Sequence, residues 1–425
     1  MSETAISLFD VETLQDPYAA YKSLRDEQPV YFEAAMNIHV VTRYDLVREA
    51  IRDTKTFSSR YDQFLAASQE IMFAQAAPEV QQRLIEVNAQ MIETPPTMLT
   101  LDEPDHTKYR SLVNKLFVAA RIKEAQPSVQ GVIDARVNAL LTELDAQGSV
   151  DFVGCFADPV PLRIIGDRLG IPEEDRAFFD HAATQAASAL RLTPLAGDAL
   201  VQRAETAVGL QKLLTGLVEA RRREPANDMI TILANSKLEG DDRLLTHGEC
   251  LSVLNQFLVA GHETTSSTFG WGMLLLCQQP DVQDELRGNE KLIKTFCEEI
   301  LRLESPVQGL PRLVTCDTEL GGYPLKAGDL IMLRYGAANR DERQFAEPDT
   351  LNVHRQKAGS QLAFGAGVHF CIGAPLARQE LNLGFASLLA AGKNFRVADN
   401  AEAPKSEASF ILRNLPHLPI TFDPI

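Results

Sequence analysis

The run Phe364-Gly365-Ala366-Gly367-Val368-His369-Phe370-Cys371-Ile372-Gly373 decides how the rest of this chain is read. Gly365 and Gly367 carry no Cβ, so they permit a tight turn with main chain close to a flat ligand. Cys371 follows, and a helix then opens with Ala374 and Pro375 in its first turn. A sulfur placed just before a helix faces free N–H groups and the positive end of the helix dipole. Such surroundings lower a thiol's pKa and favour the anionic, ligating form. The run is not a dinucleotide fingerprint, because Phe370 stands where a third glycine would fall.

Taken alone, a cysteine is a small buried hydrophobe. That reading serves for Cys155, Cys250, Cys277, Cys297 and Cys316. No two of the 6 cysteines form a C-x-x-C pair, which argues against a zinc ribbon. The start, Met1 to Asp10, has no basic n-region and no long apolar h-region, so no signal peptide and no disulfide framework are expected. The 425 residues are 45% apolar, ample for a large core. No linker, repeat or low-complexity tract divides them, and a single domain over 1–425 is expected. A net charge of −17 argues against nucleic acid and anionic membranes as partners. No apolar run reaches spanning length, so a cytoplasmic protein is expected.

Periodicity points to a mainly α fold with a minor β-sheet. A helix and a small hairpin are expected from 17 to 60, with Val30–Phe32 and His39–Val41 alternating. Residues 61–104 read as irregular, and 105 to about 300 as helical. The clearest helix starts at Thr246-His-Gly-Glu249, a capping box, and runs until Pro280 stops it. That is about 34 residues, or roughly 50 Å. A second helix is expected over Leu292–Leu303, short strands over 310–335, loop over 336–372, a last helix from Pro375 to Ala391 and a closing hairpin after Arg413.

The glycine–cysteine run resembles the signature of the cytochrome P-450 family of heme-thiolate monooxygenases, F-G-x-G-x-H-x-C-x-G, at every fixed position. The resemblance continues in chain order. Glu299-Ile-Leu-Arg302 fits the family's E-x-x-R, and on a helix these two residues share a face. Arg355 falls at the position of the family's third member of that charge cluster, a structural lock on the cysteine loop. Ala260-Gly261-His262-Glu263-Thr264-Thr265 looks like A-G-x-[D/E]-T-T. There Ala260 and Gly261 would leave room for a planar macrocycle and O2. The Thr264 hydroxyl would locally open the helical ladder and hold a water, and Glu263 would relay protons. His262 has no partner at i+3 or i+4 and is not read as a metal ligand. His106 and Arg110, four apart on one helix, match the family's donors to a heme propionate, with Arg312 and His369 as further donors.

The resemblance implies the cytochrome P-450 fold, with a long central helix over a heme b (iron protoporphyrin IX) whose axial ligand is Cys371. Phe364, Gly365 and Gly373 would complete the cofactor loop. Thiolate donation favours O–O cleavage, where a neutral histidine favours reversible O2 binding. No flavin or iron–sulfur segment follows before Ile425, so the resemblance implies electrons from an iron–sulfur ferredoxin with an NAD(P)H-dependent reductase. Lys108, Lys115, Arg121, Lys123 and Arg378 are the expected docking cations. Substrate contacts are expected from 61–104, about 180–205, Leu254–Leu258, Val307–Leu310 and Phe410–Leu412. Their Met, Leu, Phe and Val content points to a small apolar substrate. A heme sensor would not need the Glu263–Thr264 pair, and peroxide-driven relatives typically replace it. A cysteine hydrolase lacks a well-placed base.

Overall fold

The computed structural model describes residues 8–62, 70, 73–188, 197–399 and 401–425. The expectations for the extreme N-terminus, and for parts of the 61–104 and 180–205 segments, lie outside these residues. The chain forms two compact units. One comprises Met1–Ser58, Ile122–Pro161 and Glu263–Ile425, and the other Ser59–Arg121 and Leu162–His262. Neither is a continuous stretch, and the change from one to the other at His262–Glu263 falls inside a helix rather than in a linker.

The first unit holds the sheets. The alternation at Val30–Phe32 and His39–Val41 becomes an antiparallel hairpin, Val30–Glu33 with Ile38–Val41, preceded by the helix Tyr18–Glu27. Ile38–Val41 then runs parallel to Leu330–Leu333, which pairs antiparallel with Leu310–Val314, and Phe57–Ser58 completes five strands. The inward positions Val41, Ile331, Leu333 and Val314 pack on Val47 and Ile51 of the helix Tyr44–Arg52. The expected hairpin after Arg413 is corrected: a single strand follows, and it joins a three-stranded sheet with two earlier strands. Pro419–Pro424 pairs with both Gly392–Val397 and Val150–Asp151.

The second unit is helical among its described residues. Here the irregular reading of 61–104 is corrected, because Pro78–Asn88 is a helix. Its apolar residues Val80, Leu84 and Val87 recur at helical spacing and pack against Leu200, Val201 and Val208. Interspersed Gln and Glu obscured that period. Of the whole described chain, no helix is long and apolar enough to cross a membrane.

The long helix spans His247–Gln278, 32 residues. Its start is the capping box that the sequence predicts. Glu249 N–H donates to Thr246 Oγ1 at 3.2 Å, and Thr246 N–H donates to the Glu249 carboxylate at 2.7 Å. Arg243 adds two hydrogen bonds to the same carboxylate, at 2.7 and 3.0 Å. Those bonds, with the Thr246 N–H, pull the Glu249 carboxyl down to about 2. A depressed carboxylate stabilises the fold above its unfolded pKa, near 4.5, and that stabilisation is lost as pH falls toward 2. Thr246→Ala should therefore lose about 1 kcal/mol in urea unfolding at pH 7. Glu249→Gln should be destabilised at pH 7, with the difference from the unsubstituted protein closing as pH approaches 2. A difference that persisted unchanged at pH 2 would contradict the assignment.

Candidate active site

The cysteine loop takes its shape from its glycines. Gly365 and Gly367 have φ of 67° and 66°, in the left-handed region that side chains avoid. Cys371 N–H donates back to Phe364 C=O at 2.8 Å, which closes the loop. Gly367–His369 forms a single tight helical turn between them. The helix Ala374–Ala391 begins directly after Gly373, so Cys371 stands at its N-terminus as the sequence requires. Burial meanwhile pushes the Cys155 and Cys250 thiols up to about 11, Cys277 up to about 12 and Cys297 well above its ordinary value. Cys250 and Cys297 are buried and Cys155 and Cys277 half-buried, while Cys316 is exposed, which corrects its reading as a buried hydrophobe. Cys371 is only half-buried.

Behind this loop lies a charge cluster closed to water. Glu299 and Arg302 are each 0% exposed. One helical turn apart on Glu290–Glu304, they form a bidentate pair, with Arg302 Nε and Nη2 at 2.6 and 3.0 Å from the two carboxylate oxygens. Arg355 Nε joins Glu299 at 2.9 Å, and Asn352 N–H at 3.1 Å. The remaining Arg302 donors reach the carbonyls of Asn339, Pro348 and Thr350.

On the long helix, Ala260 is exposed and Gly261 and Thr264 are half-exposed, while His262, Glu263 and Thr265 are buried. Helical spacing puts Ala260, Gly261 and Thr264 on one face. The nearest atoms to a side chain built at Gly261 belong to Ile165, 3.8 Å away. The helix stays continuous here, which corrects the expectation of an opened ladder at Thr264. Instead, Ser267 Oγ donates to Glu263 C=O at 2.7 Å and Thr268 Oγ1 to Thr264 C=O at 2.8 Å.

His106 and Arg110 lie on the helix Asp105–Asn114, the first buried and the second half-buried. Burial, and then the nearby Arg110 charge, lower the His106 pKa. Arg312 lies mid-strand in Leu310–Val314, opposite Ile331. It is only 2% exposed, and its Nε has no hydrogen-bond partner. Its Nη1 donates to Pro311 C=O at 2.7 Å, and the Tyr335 hydroxyl is a further neutral neighbour. No carboxylate among the described residues lies within ion-pair distance of it. Burying a guanidinium so deeply is costly unless a charge or a ring face compensates it. His369 ends the turn of the cysteine loop, half-exposed. Within the first unit, a thiol at a helix start and a buried cation without a carboxylate partner are the chemistry that a thiolate-ligated, anionic group would need.

Residues 200–420 match the sequence profile of the family Cytochrome P450. The chain is a member of the cytochrome P450 family. It is 33% identical to the vitamin D(3) 25-hydroxylase of Pseudonocardia autotrophica, over 98% of this chain and 96% of that one. It is 32% identical to the nocardicin C N-oxygenase of Nocardia uniformis subsp. tsuyamanensis, over 96% of each. The solved structure of cytochrome P450 CYP109Q5 from Chondromyces apiculatus superposes with a TM-score of 0.83, at 28% identity over 99% of this chain and 98% of that one. The protein is thus a P450 monooxygenase with the P450 fold, which works with heme, O2, an organic substrate and a redox partner.

In this P450 a second lock stands beside the first, and sequence reading missed it. Glu298 takes Arg378 Nε at 2.5 Å and Nη2 at 3.1 Å, and Gln361 Nε2 at 3.1 Å. It thereby ties the start of the cysteine loop to the helix after it. Arg378 also stacks over Phe364, 4.6 Å from the ring centroid. The signal was the Glu298–Glu299 doublet, since adjacent helical residues address different partners. Two of the expected docking cations already carry ion pairs of their own. Arg378 is occupied by Glu298, and Lys108 pairs with Asp105 at 2.9 Å. Arg302→Ala strands Glu299 without its main partner and should lose about 3–5 kcal/mol in denaturant unfolding. Glu298→Gln, on the half-exposed lock, should lose clearly less. Equal losses from the two would refute this ranking.

Proposed function

We propose that this P450 binds heme b and inserts one atom of O2 into a small apolar substrate. The two electrons come from an iron–sulfur ferredoxin served by an NAD(P)H-dependent reductase. The chain works in the cytoplasm and acts as one domain over 1–425. Cys371 at its helix start is the observation that carries the reading. Its thiolate would hold the heme iron, and electron donation from such a ligand would favour O–O cleavage. Bound heme supplies the metal at which O2 is reduced. Phe364, Gly365 and Gly373 shape the loop that presents the sulfur. His106, Arg110, Arg312 and His369 receive the propionates, with the orphaned Arg312 Nε as the strongest support. Ala260 and Gly261 leave room beside the reacting oxygen.

Splitting O2 heterolytically consumes two protons, and a buried site must import them. Glu263 supplies them and Thr264 holds the last donor in place. Support comes from their adjacency on the helix and the half-exposed Thr264 face. An apolar substrate is supported by Phe257, Leu258, Val307, Leu310, Phe410, Ile411 and Leu412, none of them charged, and by a relative named for vitamin D(3). For the ferredoxin, Lys115 and Lys123 remain exposed cations on a chain of net charge −17, and Val368 and Phe370 of the cysteine loop are 38% and 39% exposed. Apolar side chains so placed suit a protein partner.

Two measurements test this. The reduced, CO-treated protein should show the red-shifted Soret band of thiolate ligation, and Cys371→Ala should abolish it; retention of the band would refute the ligand assignment. With ferredoxin, reductase and NADH supplied, a panel of steroids and terpenoids should identify a substrate by its low-to-high-spin shift. Thr264→Ala should then consume NADH while releasing mainly peroxide. Tight coupling in that variant, or turnover supported by peroxide alone in the unsubstituted protein, would overturn the proton-delivery role.

A further inference from the structure

Arg334 follows the strand Leu330–Leu333 and is only 2% exposed. No carboxylate among the described residues lies within ion-pair distance of it. Its partners are of another kind. Nη1 donates to Phe410 C=O at 2.5 Å, and Nη2 donates to the Tyr21 hydroxyl. The guanidinium carbon lies 4.2 Å from the centroid of the Phe410 ring and 5.1 Å from that of Tyr21. Aromatic faces thus do the work of a counter-charge. The Phe9 ring stacks on Phe410 from elsewhere, with centroids 4.4 Å apart.

The chain of contacts continues. Tyr21 OH donates to Gln308 Oε1 at 3.3 Å, and Gln308 Nε2 donates to Ser305 C=O at 2.8 Å. Gln308 N–H donates to Ile411 C=O at 2.7 Å, and Arg413 N–H to Pro306 C=O at 2.9 Å. Val307 and Leu412 form an antiparallel bridge. Two glycines let Val307–Leu310 approach the stretch around Arg334. A Cβ at Gly336 would meet Gln308 Oε1 at 2.2 Å, and one at Gly309 would meet Leu333 C=O at 2.4 Å. One buried cation therefore sits at the node where Val307–Leu310 and Phe410–Leu412 are held to each other.

We propose that Arg334 is a positioning residue for the substrate wall: through Phe410, Tyr21 and Gln308 it fixes the two turns that carry Val307–Leu310 and Phe410–Leu412. This rests on the reading that those turns face the substrate. A hydrophobic residue of similar volume would avoid desolvating a cation and would satisfy packing alone. What the guanidinium adds is direction, because its planar fork holds a carbonyl and a phenol at set angles. Preorganised walls favour large ligands that touch them and leave small ones indifferent.

The test uses two azoles on the heme-loaded protein, read by the Soret shift each induces. Imidazole would ligate the iron with little bulk to meet the turns, and the biphenyl azole bifonazole carries the bulk expected to reach them. In Arg334→Met, bifonazole should bind roughly tenfold more weakly, while imidazole changes by less than about twofold. Arg334→Lys should give a partial loss, since it keeps the charge without the fork. Tyr21→Phe, which removes one oxygen from the chain of contacts, should shift the same ratio and serves if Arg334→Met does not accumulate with heme. Ratios unchanged in all three variants, or parallel losses for both azoles, would overturn the proposal. An unsubstituted protein showing no azole-induced shift would overturn the heme reading and this proposal with it. A normal imidazole shift with unchanged ratios overturns only the role of Arg334.

Discussion

The pairing of Glu299 with Arg302, made where no water reaches, is the interaction on which the cysteine loop depends. Removing two such ions from water costs several kcal/mol each, and only complete hydrogen bonding offsets it. Here the bonding is complete in an informative way. The carboxylate takes Arg302, Arg355 and the Asn352 N–H, and the surplus Arg302 donors go to carbonyls at 339, 348 and 350. The partners are irregular main chain, which has no ladder of its own to satisfy its carbonyls. A helix thus lends its rigidity to a loop. Asn339 passes this order on, because its side chain accepts the Leu362 N–H at 2.7 Å, two residues before Phe364.

Buried and half-buried arginines recur through the same unit, with differing partners. Arg413 pairs with Glu304 at 2.7 Å and lies over the Trp271 ring at 4.3 Å. Arg340 meets the same carboxylate at 3.1 Å and covers Tyr18 at 3.4 Å. Arg334 relies on rings, a phenol and a carbonyl. Arg312 has neutral neighbours alone among the described residues. These four run from a carboxylate-paired guanidinium to one with neutral partners alone among the described residues.

How much of this was legible follows from where the information resides. The capping box at Thr246, the pair at Glu299 and Arg302 and the glycine turn before Cys371 are local: a few residues at fixed spacing determine their geometry. Each lies where the sequence predicts. The helix Pro78–Asn88 was hidden because its apolar stripe is narrow and its partners are more than a hundred residues away. Arg378 looked like a surface cation because nothing in its neighbourhood of sequence reveals Glu298. Arg334 is undetectable by spacing, since Tyr21 and Phe410 come from near opposite ends of the chain.

The two hydroxyls that turn back onto the long helix have a consequence for its middle. The carbonyls of Glu263 and Thr264 each hold a donor beyond the main-chain bond, from Ser267 and Thr268. Were the main-chain bond at that turn to lengthen, neither acceptor would be stranded, because a hydroxyl already stands by it. The helix therefore carries its own spare donors at the step where the acid and the alcohol sit. The Thr-Thr-Ser-Ser-Thr run from 264 to 268, poor in helix propensity, thus puts its own hydroxyls into the hydrogen bonding of the helix that holds it.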